Sequence, residues 1–177
     1  MALTLLRHGA LHPQHQGCYN GWSDLEIDPS RFNPSAVQTV TDQRFDRIYS
    51  SDLRRCTQTL ALMGYTDIIT DARLREVRFK EKIEGKRFDD ITKLPDYDPA
   101  LLETPQRWHE YICAEREEDF EQRIQSFLKE LPREENILIC SHAGTIRKML
   151  YFLGIAKDTI DYLESIRIES DHLQRMV

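Results

Sequence analysis

A chain of 177 residues with 40% apolar side chains can bury a sizeable core in one domain of ordinary size. Its 30 acidic and 24 basic residues leave a net charge of -6, which argues against a general nucleic-acid binder and is neutral toward small anionic substrates. No stretch approaches the roughly 18 apolar residues of a membrane span, and the N-terminus lacks the basic lead and apolar region of a secretory signal. Cys18, Cys56, Cys113 and Cys140 are scattered without metal-ligand spacing. The expectation is a cytoplasmic protein with reduced thiols, no metal, no cofactor, and neither a membrane nor a nucleic acid as partner.

In chain order, the apolar run Leu3-Thr-Leu-Leu6 reads as a buried strand that stops at Arg7-His8-Gly9. A polar loop from His12 to about Asn33 follows, rich in turn formers, then a short helix from Pro34 to Thr41. Arg47 to Ser51 reads as a second strand, with Ser51 or Asp52 placed to cap a helix over Leu53–Met63 that stops at Gly64. Asp67 to Thr70 is a third short strand. Residues 77–114, with prolines at 95, 99 and 105, read as a small lid or cap insertion. Helical spacing of Phe120, Ile124, Phe127, Leu128 and Leu131 predicts a helix over Arg116–Leu131. Asn136 to Cys140 is a buried strand, Thr145 to Leu153 a helix stopped by Gly154, and Ser165 to Glu169 a final strand. Alternating strands and helices predict an α/β sandwich with a mainly parallel sheet.

Two strand ends carry a histidine followed by a small residue: Arg7-His8-Gly9 and Ser141-His142-Ala143-Gly144. The carboxyl ends of parallel strands are where open α/β sheets place their ligands. A histidine beside a fixed arginine suits phosphoryl chemistry, the guanidinium holding anionic oxygens and the imidazole supplying a nucleophilic nitrogen. Taken alone, the tripeptide equally suits a core histidine at a strand end. Arg54 and Arg55 open a helix after a strand, where guanidinium and helix N-terminus both favour an anion, although one of them reads as a solvated face. Glu76 follows a short strand, a position where most carboxylates are surface charges.

Together these segments resemble the histidine phosphatase superfamily, from Leu3 to about Glu169. Arg7-His8-Gly9 matches its hallmark, Ser51, Leu53, Arg55 and Thr59 match its helix start, and Leu74 with Glu76 match its acid. Ser141 to Gly144 match its second histidine segment. The stretch Gly17 to Asp24 looks like its substrate loop, in wording close to the branch of α-ribazole and other small-molecule phosphatases. The resemblance implies a three-layer, phosphoglycerate-mutase-like sandwich and hydrolysis of a small-molecule phosphate ester through phosphohistidine at His8. It assigns Arg7, Arg55 and His142, the last as a cation or donor, to the phosphoryl group, and Glu76 to acid and base catalysis. Gln14, Asn20, Gly21 and Ala143 are implied substrate contacts. Gln14 stands where the family has an asparagine, Ala143 where it has glycine, and Ala10 where an acidic residue is usual. The long helix after the substrate loop is reduced here to Asp28–Phe32. The alternatives are a phosphoglycerate-type mutase, less suited to the short span between Glu76 and His142, and a non-catalytic domain of the same fold.

Overall fold

The computed structural model describes residues 2–169; the outer ends of the expected single domain, residue 1 and residues 170–177, lie outside the described residues. Its strands are β1 (Ala2–Arg7), β2 (Arg47–Ser50), β3 (Ile69–Thr70), β4 (Asn136–Ser141) and β5 (Ser165–Glu169). Its helices are α1 (Gln38–Thr41), α2 (Arg54–Leu62), α3 (Phe88–Ile91), α4 (Pro105–Ile112), α5 (Glu117–Lys129) and α6 (Ala143–Phe152). The strands form one sheet in the order β3-β2-β4-β1-β5. All pairings are parallel except that of β1 with the edge strand β5.

The central strands are apolar on both faces, so both must be covered. Side chains alternate across a strand, which splits the core in two. Leu3, Leu5, Ile137 and Ile139 pack with Phe120, Ile124 and Phe127 of α5 and Ile146, Met149 and Leu150 of α6. Leu6, Leu138 and Cys140 pack on the other side with Val37, Val40, Cys56 and Leu60, from the α1 and α2 layer.

Several elements differ in detail from the expected ones. The helix expected over 34–41 opens as a 3-10 turn, Pro34–Val37, before α1. The third strand is only two residues long and exposed. Asp28 accepts from Ser30 N at 3.0 Å and caps a single 3-10 turn, Pro29–Arg31.

The start of α2 is a correction. Leu53 is its N-cap, without a side-chain bond, and Ser51 Oγ reaches Leu53 N only at 3.4 Å. Asp24, thirty residues upstream, accepts from Arg54 N at 2.7 Å instead. Asp52 is drawn away by a bidentate pair with Arg75, at 2.7 and 2.6 Å.

The segment 77–114 contains α3, a 3-10 turn at Pro99–Leu102, and α4, whose N-cap Thr104 accepts from Arg107 N. A bridge between Phe79 and Cys113 closes its base. Its Ile83, Ile91, Tyr111 and Ile112 join the α5/α6-side core. Backbone bonds Tyr19 N to Lys86 O and Gly85 N to Tyr19 O, 2.8 and 2.9 Å, tie it to the loop that precedes α1.

Candidate active site

Parallel pairing sets Arg7 opposite Ser141, so His8 and His142 leave the sheet side by side at its carboxyl edge. His8 N donates to Ser141 O at 3.1 Å, and the two imidazoles lie 5.2 Å apart, edge to face. β2 ends beside them, Ser51 N donating to Cys140 O, and α2 then brings in Arg55. Thr59 Oγ1 accepts from Gly9 N and donates to Arg55 O, which locks α2 to the end of β1.

His8 is 4% exposed, with Nδ1 2.8 Å from Gly9 O. A carbonyl only accepts, so Nδ1 carries the proton and Nε2 keeps a bare lone pair. Burial, then the charges of Arg55 and Arg7, hold His8 well below its ordinary value of 6.5 despite the bond to Gly9.

His142 differs from its expected role. Arg55 Nε donates to its Nδ1 at 3.0 Å, so its Nε2 bears the proton and donates to Ser51 Oγ at 2.9 Å. Burial first, then the charges of Arg55, His8, Arg7 and Arg123, keep it neutral, well below 6.5. With both nitrogens committed, His142 is neither a cation nor a ready donor here; it orients Arg55.

Arg55 is 1% exposed. Its Nη1 donates to Ser23 O at 2.8 Å and its Nη2 to Gly21 O at 2.6 Å. Arg7 Nη1 donates to Ile160 O at 2.5 Å, and Arg7 Nε is buried without a partner. Among the described residues no carboxylate lies within 4.0 Å of either guanidinium. Burial lowers the pKa of both, and the charge of Glu76 acts on both in the opposite sense. Two sheltered cations held only by neutral groups form a site that an anion completes.

Glu76 rides on a segment strapped through its carbonyls. Ser141 Oγ donates to Leu74 O and Thr145 Oγ1 to Arg75 O, each at 2.8 Å. Arg123 donates to Arg73 O, Arg75 O and Glu76 O, and is itself gripped by Glu115. Trp22 Nε1 adds a bond to Glu76 O at 2.9 Å. The carboxylate accepts from Val77 N at 3.0 Å and from Gly144 N, in the first turn of α6, at 2.9 Å. A Cβ at position 144 would overlap that carboxylate, at 3.0 Å from its Cδ. An alanine at the second position after His142 would push the Glu76 carboxylate aside, while Ala143 fits as the first residue of α6.

Among the other expected contacts, Gly21 O receives Arg55 while Gly21 N and Ser23 N both donate to Glu84 Oε1, at 2.9 and 3.1 Å. A Cβ on Gly21 would come within 2.7 Å of Val77 O. Asn20 Nδ2 donates to His15 O at 2.7 Å, leaving Oδ1 buried without a partner. Gln14 is exposed on the 3-10 turn Pro13–His15, and among the described residues no hydrogen bond joins its amide to His8, Arg55 or Glu76. The sequence did not single out Arg123, Glu84 or Tyr162. Arg123 and Glu84 carry no pattern that separates them from surface charges, and Tyr162 lies in an irregular turn. No group of His, Cys, Asp and Glu among the described residues has the arrangement of a metal site. No helix among them is long and apolar enough to cross a membrane.

Residues 3–169 match the family described as the histidine phosphatase superfamily (branch 1). The chain belongs to this superfamily. It is 31% identical over 167 residues to "Putative phosphoserine phosphatase 2" of Hydrogenobacter thermophilus, covering 89% of this chain and 81% of that protein. It is 26% identical over 171 residues to human 6-phosphofructo-2-kinase/fructose-2,6-bisphosphatase 4; the match covers 92% of this chain but only 35% of that relative's length. The α-ribazole phosphatase of Shigella flexneri superposes with a TM-score of 0.76 at 22% identity, covering 96% of this chain and 90% of that one. A phosphoglycerate mutase of Thermus thermophilus does so at 0.74 and 23%, covering 96% and 93%. At these identities the two structures speak for the fold, a phosphoglycerate-mutase-like sandwich.

His8 and His142 resist protonation when folded, so their contribution to stability is whole above about pH 6.5 and is lost as pH falls through their depressed folded values. Each adds a slope of up to about 1.4 kcal/mol per pH unit in that window. Denaturant titrations from about pH 7.5 to about 5.5 should show this fall, and His8→Asn should remove roughly half of it; an unchanged slope contradicts the buried neutral state. Gly144→Ala should displace the Glu76 carboxylate from Gly144 N, seen in a crystal structure of the variant, while an unmoved carboxylate shows that the backbone of α6 gives way instead.

Proposed function

We propose that the chain, as one domain with 77–114 as its cap, is a phosphatase that hydrolyses a small phosphate monoester through phosphohistidine at His8 Nε2. The observation that carries this reading is a buried Arg55 and a half-buried Arg7, neither paired with a carboxylate among the described residues, beside an imidazole nitrogen with a bare lone pair. A phosphate monoester brings about two negative charges and several acceptor oxygens to those donors. The four cysteines are free, which fits a reducing, cytoplasmic setting.

In the first step the His8 Nε2 lone pair attacks phosphorus and the ester P–O bond breaks, its electrons passing to the leaving oxygen. Glu76 acts as the general acid, giving that oxygen the proton it regains in the second step. In the second step a water attacks phosphorus, surrendering a proton to Glu76 as the P–N bond breaks and returns its electrons to His8. Arg7 and Arg55 stay charged and face the phosphoryl oxygens in both steps. Positioning and charge stabilisation supply most of such a reaction. The His8 Nδ1–H bond to Gly9 O persists and steadies the imidazolium that attack creates. Glu76 sits close enough to act on both guanidinium charges, yet backbone N–H groups hold it off them.

The leaving group separates these roles. Glu76→Gln should slow phosphorylation by an alkyl phosphate about 10²- to 10⁴-fold, because an alkoxide needs the proton. It should slow p-nitrophenyl phosphate far less, measured as the single-turnover burst of p-nitrophenolate. Arg55→Ala should slow both comparably. Equal loss for both substrates in Glu76→Gln rules this carboxylate out as the acid, and turnover retained in His8→Ala removes the mechanism altogether.

A further inference from the structure

The turn that leads into β5 holds a conformation that L-residues avoid. Leu163 has a φ of 61°, in the left-handed region, and is buried. The surroundings fix it there. Leu163 N lies 3.2 Å from Arg7 O and 3.4 Å from His8 O, and Arg7 N donates to Glu164 O at 3.0 Å. Glu164 N closes the turn on Asp161 O, and Glu164 is anchored by Lys157 at 2.7 Å. The turn is thus tied directly to the two residues that carry the arginine and the histidine of the site.

Its product is the placement of Tyr162. The Arg7 guanidinium carbon lies 3.9 Å from the centre of the Tyr162 ring, and the same ring is 5.6 Å from that of His8. Arg7 has little else to fix it: Nη1 reaches Ile160 O, in the same segment, and Nε has no partner. A ring meets a guanidinium on its face, whereas a phosphate takes the in-plane N–H edge. A carboxylate in the ring's place would take that edge and neutralise the charge. The aromatic face steadies the cation and leaves the edge open.

We infer that Tyr162 is a positioning residue for Arg7, holding the guanidinium plane so that its free N–H edge meets the phosphoryl group. For turnover the inference rests on the phosphatase reading; for binding of the anion it does not. Among the described residues the Tyr162 hydroxyl has no hydrogen-bond partner, so the ring rather than the hydroxyl carries the role.

The test is calorimetric binding of inorganic phosphate to the wild type and to Tyr162→Phe, Tyr162→Leu and Tyr162→Met, the last filling more of the ring's volume without its π face. Loss of a cation–π contact predicts about three- to thirtyfold weaker phosphate binding in the Leu and Met variants, with Phe within about threefold of wild type. With p-nitrophenyl phosphate the same loss should fall on KM rather than kcat. Wild-type affinity in either aliphatic variant with a cooperative melt overturns the inference, as does a Phe variant as impaired as Leu, which would put the role on the hydroxyl. Tyr162-dependent phosphate binding without any ester hydrolysis would uphold this inference and sink the phosphatase reading. A wild type that does not bind phosphate overturns both.

Discussion

Arg55 is buried to 1% exposure with a permanent charge, and no carboxylate among the described residues pairs with it; the architecture around it follows from that constraint. An unpaired buried cation is costly unless its N–H groups are all directed at acceptors. The chain supplies neutral ones: His142 Nδ1, Ser23 O and Gly21 O. Supplying them requires the 20–23 loop to fold back over α2, held by Glu84 from the 77–114 segment and by Asp24 on the first turn of that helix. It also requires a neutral His142, which burial first and then the charge of the same arginine enforce. Arg7 meets the constraint differently, through one carbonyl and an aromatic face. In both cases the protein solvates the cation without cancelling it, and the site keeps its appetite for an anion.

The second demand is to keep a carboxylate close to two uncompensated arginines without letting it collapse onto them. Glu76 is restrained at both ends. Arg123, Thr145, Ser141 and Trp22 take the carbonyls of residues 73–76, and Val77 N and Gly144 N take the carboxylate. The restraint comes from four separate places: α5, the end of β4, the start of α6 and the loop before α1. That distribution is why the α5/α6 layer is part of the site as well as cover for the sheet.

Elements whose physics is local were readable from the chain. The β1 and β4 runs are apolar on both faces, and α5 shows its burial in the spacing of Phe120, Ile124, Phe127 and Leu128. The pairing of two strand-end histidines was readable too, because parallel register carries both to one edge. What escaped depends on distance in sequence. Asp24 displaced the nearer Asp52 at the start of α2 because Arg75 claimed Asp52. His142 looked like a free donor in isolation, but Arg55, 87 positions away, takes its acceptor nitrogen and Ser51 Oγ accepts from the other. Arg123 and Glu84 look like any solvated charge until the carbonyls or amides they bind are in place. The strained Leu163 has no counterpart in composition or period, since leucine is a poor signal for a left-handed turn.

The central claim is that burial and the Gly9 bond fix which nitrogen of His8 is nucleophilic, in a pocket whose cations are left for the phosphoryl group. The most direct measurement is to quench the protein during turnover of p-nitrophenyl phosphate without acid, and then to locate the phosphoryl group by peptide mass spectrometry and phosphorus NMR. The account predicts acid-labile phosphate on His8 at Nε2, absent from His8→Ala. Phosphate on Nδ1, on another residue, or turnover with no phosphorylated protein at all would contradict it.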